Sequence, residues 1–259
     1  MNFLKSVAIA FSMYSRIPMP SFEWKKENMK YSICFFPFVG LVISFIMAGV
    51  YFLFETFLDD IPYVARALFI VVIPVIVSGG IHLDGYMDTC DSLSSFQDKE
   101  KRLEILSDPH IGAFAVIRLL VYGCLFFAMA LCVTNFHLGL DLFFAWALIF
   151  FLSRILSGIA VVSFKCAKSK GTLYTFAEGA DKTKCIVLLI IEATICIFFM
   201  IYLGKMAGFF ESLISVVTFI YYYHMSGKKY GGITGDLAGY FVCICELCAG
   251  IVFMIFMMF

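Results

Sequence analysis

Seven apolar stretches of about twenty residues or more run through this chain, at 32–58, 61–80, 111–134, 138–163, 184–203, 206–225 and 237–258. Each is long enough to cross the ~30 Å hydrocarbon core of a bilayer as a helix. Spans of this kind must satisfy their backbone groups internally, so the expected fold is all-α, a polytopic transmembrane helical bundle. Pro74 falls inside the second span and is expected to kink it. Short connectors near Asp59–Pro62, Asn135–Gly139 and Gly204–Ala207 are expected to join neighbouring spans as helical hairpins. Ahead of the first span, Phe3, Val7, Phe11 and Tyr14 fall at roughly helical spacing. They are broken off by Arg16, Pro18 and Pro20, which fits an interfacial or re-entrant helix better than a cleaved signal. One domain covering 1–259 is expected, with no internal repeat.

Composition agrees with this reading. The chain is 62% hydrophobic and only 15% charged, where a soluble domain carries roughly a quarter charged residues. Its formal net charge is zero, which gives no ground for a nucleic-acid partner. Most of the ten cysteines lie within the apolar runs and read as small apolar residues rather than disulfides or zinc ligands. The positions of the charges carry the information. Lys5, Arg16, Lys25, Lys26 and Lys30 precede the first span. Lys99, Lys101 and Arg102, then Lys165, Lys168, Lys170, Lys182 and Lys184, then Lys228 and Lys229 fall in loops of the same side. Lysine and arginine favour the cytoplasmic side, so the expected topology is multi-pass, with the N-terminus inside and the C-terminus outside.

The second span ends in Gly79-Gly80, and His82-Leu83-Asp84-Gly85-Tyr86-Met87-Asp88-Thr89-Cys90-Asp91 follows. On a helix, Asp84, Asp88 and Asp91 stand at i, i+4 and i+7, within about 60° of one face. Three carboxylates so placed repel one another unless a hard divalent cation sits among them, and oxygen ligands suit magnesium or manganese. Such an ion can bridge phosphate oxygens in a phosphotransfer reaction. The competing reading is a solvated acidic helix. His82 lies roughly opposite this face, as a candidate base or ligand, or as an interfacial contact. Asp108 precedes Pro109 and reads as a helix cap or a further metal ligand. The last loop on this side, Gly231-Gly232-Ile233-Thr234-Gly235-Asp236, leads into a helix. Gly232, Thr234 and Gly235 are candidates for presenting polar groups to a phosphate, and Asp236 for a cap, a metal ligand or both. Arg118, Arg154, Glu192 and Glu246 lie within spans, where ionisable groups pair or line a polar cavity. For Arg154 the two options are an ion pair with Glu246 and a clamp on phosphate.

These motifs resemble the adenosylcobinamide-GDP ribazoletransferase family, also called cobalamin synthase or cobalamin-5′-phosphate synthase. The likeness rests on Arg16-Ile17-Pro18-Met19-Pro20, Phe36-Pro37-Phe38-Val39-Gly40, Gly80-Ile81-His82-Leu83-Asp84-Gly85 with Asp88 and Asp91, Asp108 to Gly112, the Gly231–Asp236 loop and Glu246. They occur in the family's order over almost the full length. Where the family usually has Gly after the third Asp and Ser-Arg before Ile-Gly, this chain has Ser92 and Pro109-His110. The first change bears on a tight turn after the motif, the second on an arginine available to phosphate.

The resemblance implies an enzyme of the bacterial or archaeal cytoplasmic membrane that joins adenosylcobinamide-GDP to α-ribazole or its 5′-phosphate with release of GMP. It implies magnesium as cofactor, with manganese as a substitute. In that setting Asp84, Asp88 and Asp91 would hold the metal, with Asp108 and Asp236 as further ligands. One of the three aspartates, or His82, would take the hydroxyl proton, and Arg102 and Arg154 would contact phosphate. A homo-oligomer and other cobalamin-assembly enzymes are expected partners beside the lipid bilayer. Two readings compete with it: a CDP-alcohol phosphotransferase-like lipid enzyme, and a secondary transporter.

Overall fold

A chain this apolar has no water to satisfy its backbone within a bilayer, and it folds into helices throughout. The computed structural model describes residues 2–258, and the only β-pairing among them is one isolated parallel bridge between Cys166 and Ile233. Twelve helices follow in order: α1 (Asn2–Tyr14), α2 (Lys26–Met29), α3 (Ser32–Phe57), α4 (Tyr63–Ser78), α5 (Ile81–Ser94), α6 (Lys99–Ile105), α7 (Ala113–Asn135), α8 (Leu140–Ala147), α9 (Ile149–Ser163), α10 (Thr172–Gly179), α11 (Lys182–Tyr230) and α12 (Gly235–Met257).

By length and composition five of these segments can cross a membrane: α3, α7, the joined α8–α9, α11 and α12. A sixth is present when α4 and α5 are taken together, although they meet at 92°. Helix α11 is 49 residues long. A straight helix of that length would be about 74 Å, more than twice the hydrocarbon thickness. It folds back at Lys205, whose backbone is non-helical (φ 50°, ψ −126°). Ser212 Oγ then reaches Met200 Sδ at 3.6 Å, although twelve residues of straight helix would hold them about 18 Å apart. Gly208 permits the fold, since a Cβ there would lie 1.9 Å from the Met200 carbonyl oxygen. Counted as two limbs, α11 brings the total to the seven spans expected.

The expected span 61–80 is shorter than its apolar run, because α4 stops at Ser78 and Gly79-Gly80 turns the chain into α5. The 13-residue α1 is too short to cross and packs on α3, with Phe3 against Phe35 and Tyr14 against Phe36. The expected Pro74 position lies inside α4, and Pro37 lies inside α3.

Small residues let the spans approach where lipid offers no hydrophobic drive for helix pairing. Gly40 of α3 sits against the Phe150 carbonyl of α9, and Ser44 Oγ donates to the Ala147 carbonyl at 2.6 Å. In the middle of the bundle Arg154, 1% exposed, donates to Glu246 at 2.7 Å and to the Phe150 carbonyl at 2.7 Å. Of the two roles open to Arg154 in the sequence, the bundle uses the ion pair. At the far end of the bundle Arg66 pairs with Glu55 at 2.7 Å, and Glu55 also accepts from His137 at 3.1 Å. Arg118 is exposed on α7. All ten cysteines are free.

Truncating Glu246 to Ala leaves a buried guanidinium without its counter-charge, at a cost of about 3–5 kcal/mol. The purified Glu246→Ala protein is expected to melt well below wild type, and Arg154→Met with Glu246→Leu to recover most of the loss. Unchanged melting of the single variant would show that the pair carries no stability.

Candidate active site at the head of α5 and α12

Gly79 and Gly80 both take positive φ (66° and 79°), the left-handed region that glycine enters without steric cost. Together they end α4 and start α5 at right angles to it. The turn also admits a neighbour. A Cβ on Gly79 would lie 2.4 Å from Arg16 Nε, and the Arg16 amide donates to the Val77 carbonyl at 2.8 Å. Arg16 is thereby laid across the junction that precedes the aspartate helix.

Helix α5 then runs along the N-terminal part of α12, and two glycines set how close they come. A Cβ on Gly85 would lie 2.7 Å from the Asp236 carbonyl oxygen, and one on Gly239 would lie 2.9 Å from the His82 carbonyl oxygen. Backbone thus lies on backbone where Asp84, Gly85 and Asp88 pass Asp236. The electrostatics register the result. The Asp88 carboxyl is pushed up from 3.8 to about 6, first by burial and then by Asp84, Asp236 and Asp91. Four carboxylates from two helices share one field. Asp91 lies against Gly112 at the start of α7, where any Cβ would overlap its carboxylate.

Asp236 occupies the first turn of α12. The cap itself is Thr234, whose Oγ1 accepts from the Leu237 amide at 3.2 Å and donates to Asp236 Oδ2 at 3.3 Å. The glycine loop ahead of it is bound to protein. The amides of Gly231, Gly232 and Ile233 donate to the carbonyls of Gly227, Ser226 and Lys165, respectively. Gly232 fits only because it lacks a Cβ, which would lie 2.3 Å from the Lys165 carbonyl oxygen. The loop's glycines therefore serve to dock it on the 165–167 segment, and the start of α12 is what remains for an anion.

Three adjoining cavities surround these groups. One of about 570 Å³ is lined by Arg16, Ser78, Gly79, Gly80, Leu83 and Asp84. One of about 180 Å³ lies between Tyr14, His82, Asp84, Gly235 and Asp236. One of about 220 Å³ is lined by Lys168, Lys170, Thr172, Thr234, Gly235 and Asp236. Asp84 belongs to the first two and Asp236 to the last two, so the carboxylates stand between basic walls on either side.

Of the other residues singled out in the sequence, His82 lines the cavity between Asp84 and Asp236, while Arg102 and Asp108 line none of the three. His82 is buried, 8% exposed. Asp108 is exposed and caps a turn rather than a helix: its Oδ1 accepts from the His110 amide at 3.0 Å and from His110 Nδ1 at 2.6 Å. These bonds hold its carboxyl below the ordinary value. Arg102 is half-buried on α6, and its carbonyl accepts from Ser92 Oγ at 3.0 Å. Ser92 also accepts from the Tyr230 hydroxyl at 3.0 Å, so this residue ties three helices together inside α5, and no turn follows the motif there.

Among the described residues no group of three or more His, Cys, Asp or Glu side chains is drawn together as a ready metal cluster. The donor set is nevertheless the one a hard divalent cation takes, oxygen only and mutually repulsive. Sequence reasoning passed over Lys168 and Lys170 as site residues, since they are some 66 residues from Asp236 and only the Cys166–Ile233 bridge brings the two loops together.

The raised Asp88 pKa carries a stability consequence. A carboxyl whose folded value exceeds its unfolded one stabilises the fold at low pH, and that contribution is lost as pH rises through about 6. In chelator, Asp88→Asn is expected to melt above wild type at pH 7.5, with the gap narrowing as pH falls through about 6 and closing only below about pH 4. A wild type that melts higher at pH 7.5 would contradict the shared field.

The Cobalamin-5-phosphate synthase family profile matches residues 6–254. The chain is 45% identical to the adenosylcobinamide-GDP ribazoletransferase of Lachnoclostridium phytofermentans, over 97% of this chain and 94% of the relative. It is 32% identical to the enzyme of that name from Clostridium perfringens, over 94% and 95%. With that of Fusobacterium nucleatum it shares 28% identity, over 91% and 92%. No solved structure matches. A profile that spans nearly the whole chain, with relatives aligned end to end, makes this protein a member of the cobalamin-5-phosphate synthase family.

Proposed function

We propose that this chain joins adenosylcobinamide-GDP to α-ribazole or its 5′-phosphate at the cytoplasmic face of the membrane, using magnesium. The observation that carries the reading is the electrostatic field that Asp84, Asp91 and Asp236 share with Asp88 across two helices, between Arg16 on one side and Lys168 and Lys170 on the other. A diphosphate needs both signs of charge around it: carboxylates to hold a divalent ion, and cations to meet the remaining phosphate oxygens.

Asp84, Asp88, Asp91 and Asp236 would hold the ion, with manganese as a substitute for magnesium. Bound there, it supplies charge neutralisation on the phosphate oxygens. Asp108 stands outside this set in its bond to His110. The ribazole hydroxyl attacks the cobinamide-linked phosphorus. A new P–O bond forms, the diphosphate P–O bond breaks, and GMP leaves. One of the three α5 aspartates that does not ligate the ion, or His82, would accept the hydroxyl proton. Lys168, Lys170 and Arg16 line the cavities where departing or retained phosphate oxygens would lie. Arg154 is bound to Glu246 and acts in the bundle rather than on phosphate. The cytoplasmic placement follows the lysine and arginine distribution.

In washed membranes, Asp84→Asn, Asp88→Asn and Asp91→Asn are each expected to lower ribazole transfer by about 100-fold or more, the scale of losing a general base or a metal ligand. Product analysis should give a corrinoid nucleotide and no phospholipid. All three variants at wild-type rates with normal expression would refute the assignment.

A further inference from the structure

A fourth cavity lies deeper than the mouth, lined by residues of α4, α5, α7, α9 and α12, with a volume of about 190 Å³. Its walls are mostly apolar and partly aromatic, including Pro74, Val75, Tyr122 and Phe126. Two of the residues lining it carry a buried nitrogen without a partner: Arg154 Nε and His82 Nε2. Arg154 is 1% and His82 8% exposed, so neither nitrogen is left to bulk water. A guanidinium Nε–H is an obligatory donor, and burying it unpaired costs about 1–3 kcal/mol. The charge of Arg154 is already met by Glu246, so the cavity lacks an acceptor rather than an anion.

Its position links it to the reaction. The cavity shares Ser78 and Leu83 with the mouth that holds Asp84, and shares His82 with the pocket between Asp84 and Asp236. A ligand seated in it would have its outer end at the aspartates. The occupant must therefore be flat and apolar, carry one acceptor, and be joined to a polar group that reaches outward. A benzimidazole nucleoside has these properties: an apolar bicyclic body, one unsubstituted ring nitrogen, and a ribose. A lipid chain fills apolar space but brings no acceptor. A guanine base brings several donors and acceptors that these walls would leave unpaired.

We propose that this cavity seats the benzimidazole base of the ribazole substrate, with its ring nitrogen accepting from the Arg154 guanidinium and its ribose directed to Asp84. The inference rests on the functional reading above and deepens it. It makes the membrane interior part of the substrate site and explains how a nucleoside is selected by a base that takes no part in the chemistry.

The test uses the full-length enzyme in nanodiscs with two cavity-filling variants, Gly123→Leu and Val71→Phe. Both positions line the cavity, and a Cβ at Gly123 meets no other atom within 4 Å. Each variant should raise KM for α-ribazole by about tenfold or more, the scale of a misfitted apolar pocket, with KM for the corrinoid substrate within about twofold. The smaller imidazole riboside should lose less than ribazole does. Ribazole KM unmoved in both variants, or both KM values rising together, would overturn the base seat while leaving the transferase reading intact. A wild type that transfers no ribazole would instead overturn that reading, and this inference with it.

Discussion

Everything at the head of this bundle depends on how near α5 lies to α12. Gly85 and Gly239 carry no side chain at the crossing, so the backbones touch where most helix pairs are held apart by side chains. The cost of that approach is electrostatic. It brings Asp236 beside Asp84 and Asp88, and Asp88 responds by holding its proton to about pH 6. A structure that only needed stability would not place four like charges there. The strain is offset elsewhere, by apolar contacts along α11 and α12 and by the buried Arg154–Glu246 pair beneath the site.

The same pair shows how the bilayer shapes the chemistry. A lone charge at that depth would be expelled or neutralised, and two opposed charges with shared hydrogen bonds are retained. Arg154 Nη1 serves the pair, while the rest of the guanidinium borders the deep cavity. One residue thus contributes to the fold through one nitrogen and, in the proposal above, to substrate selection through another. Polar work is stacked along one axis, with aspartates and lysines at the mouth and the arginine below them.

Much of the fold was legible in the sequence because bilayer thickness fixes span length, and the apolar runs have that length. The hairpin at Lys205 was legible from the short break around Gly204–Ala207, even though the helix runs on in register on both sides. The right-angle turn at Gly79-Gly80 was less so, since hydropathy continues through it and only the paired glycines mark it. For the site, the spacing of Asp84, Asp88 and Asp91 announced one helical face. That Asp236 would join them depends on Gly85 meeting Gly239, a contact between residues over 150 apart with no local signature. In the glycine loop the Gly231, Gly232 and Ile233 amides are taken by protein carbonyls, because a loop beside a helix start can dock as readily as it can bind an anion, while Thr234 and Gly235 line the cavities at the start of α12. Asp108 bonds to His110, a local pairing that the sequence spacing alone does not announce.

The central claim is that two helices, and not one acidic face alone, build the cation site. Electron paramagnetic resonance of manganese binding to the purified protein tests it directly. Asp236→Asn, on α12, should weaken manganese binding by about tenfold or more, as Asp88→Asn on α5 should, because each removes a charged oxygen ligand from the same ion. Wild-type affinity in Asp236→Asn, with binding lost in Asp88→Asn, would contradict a shared site.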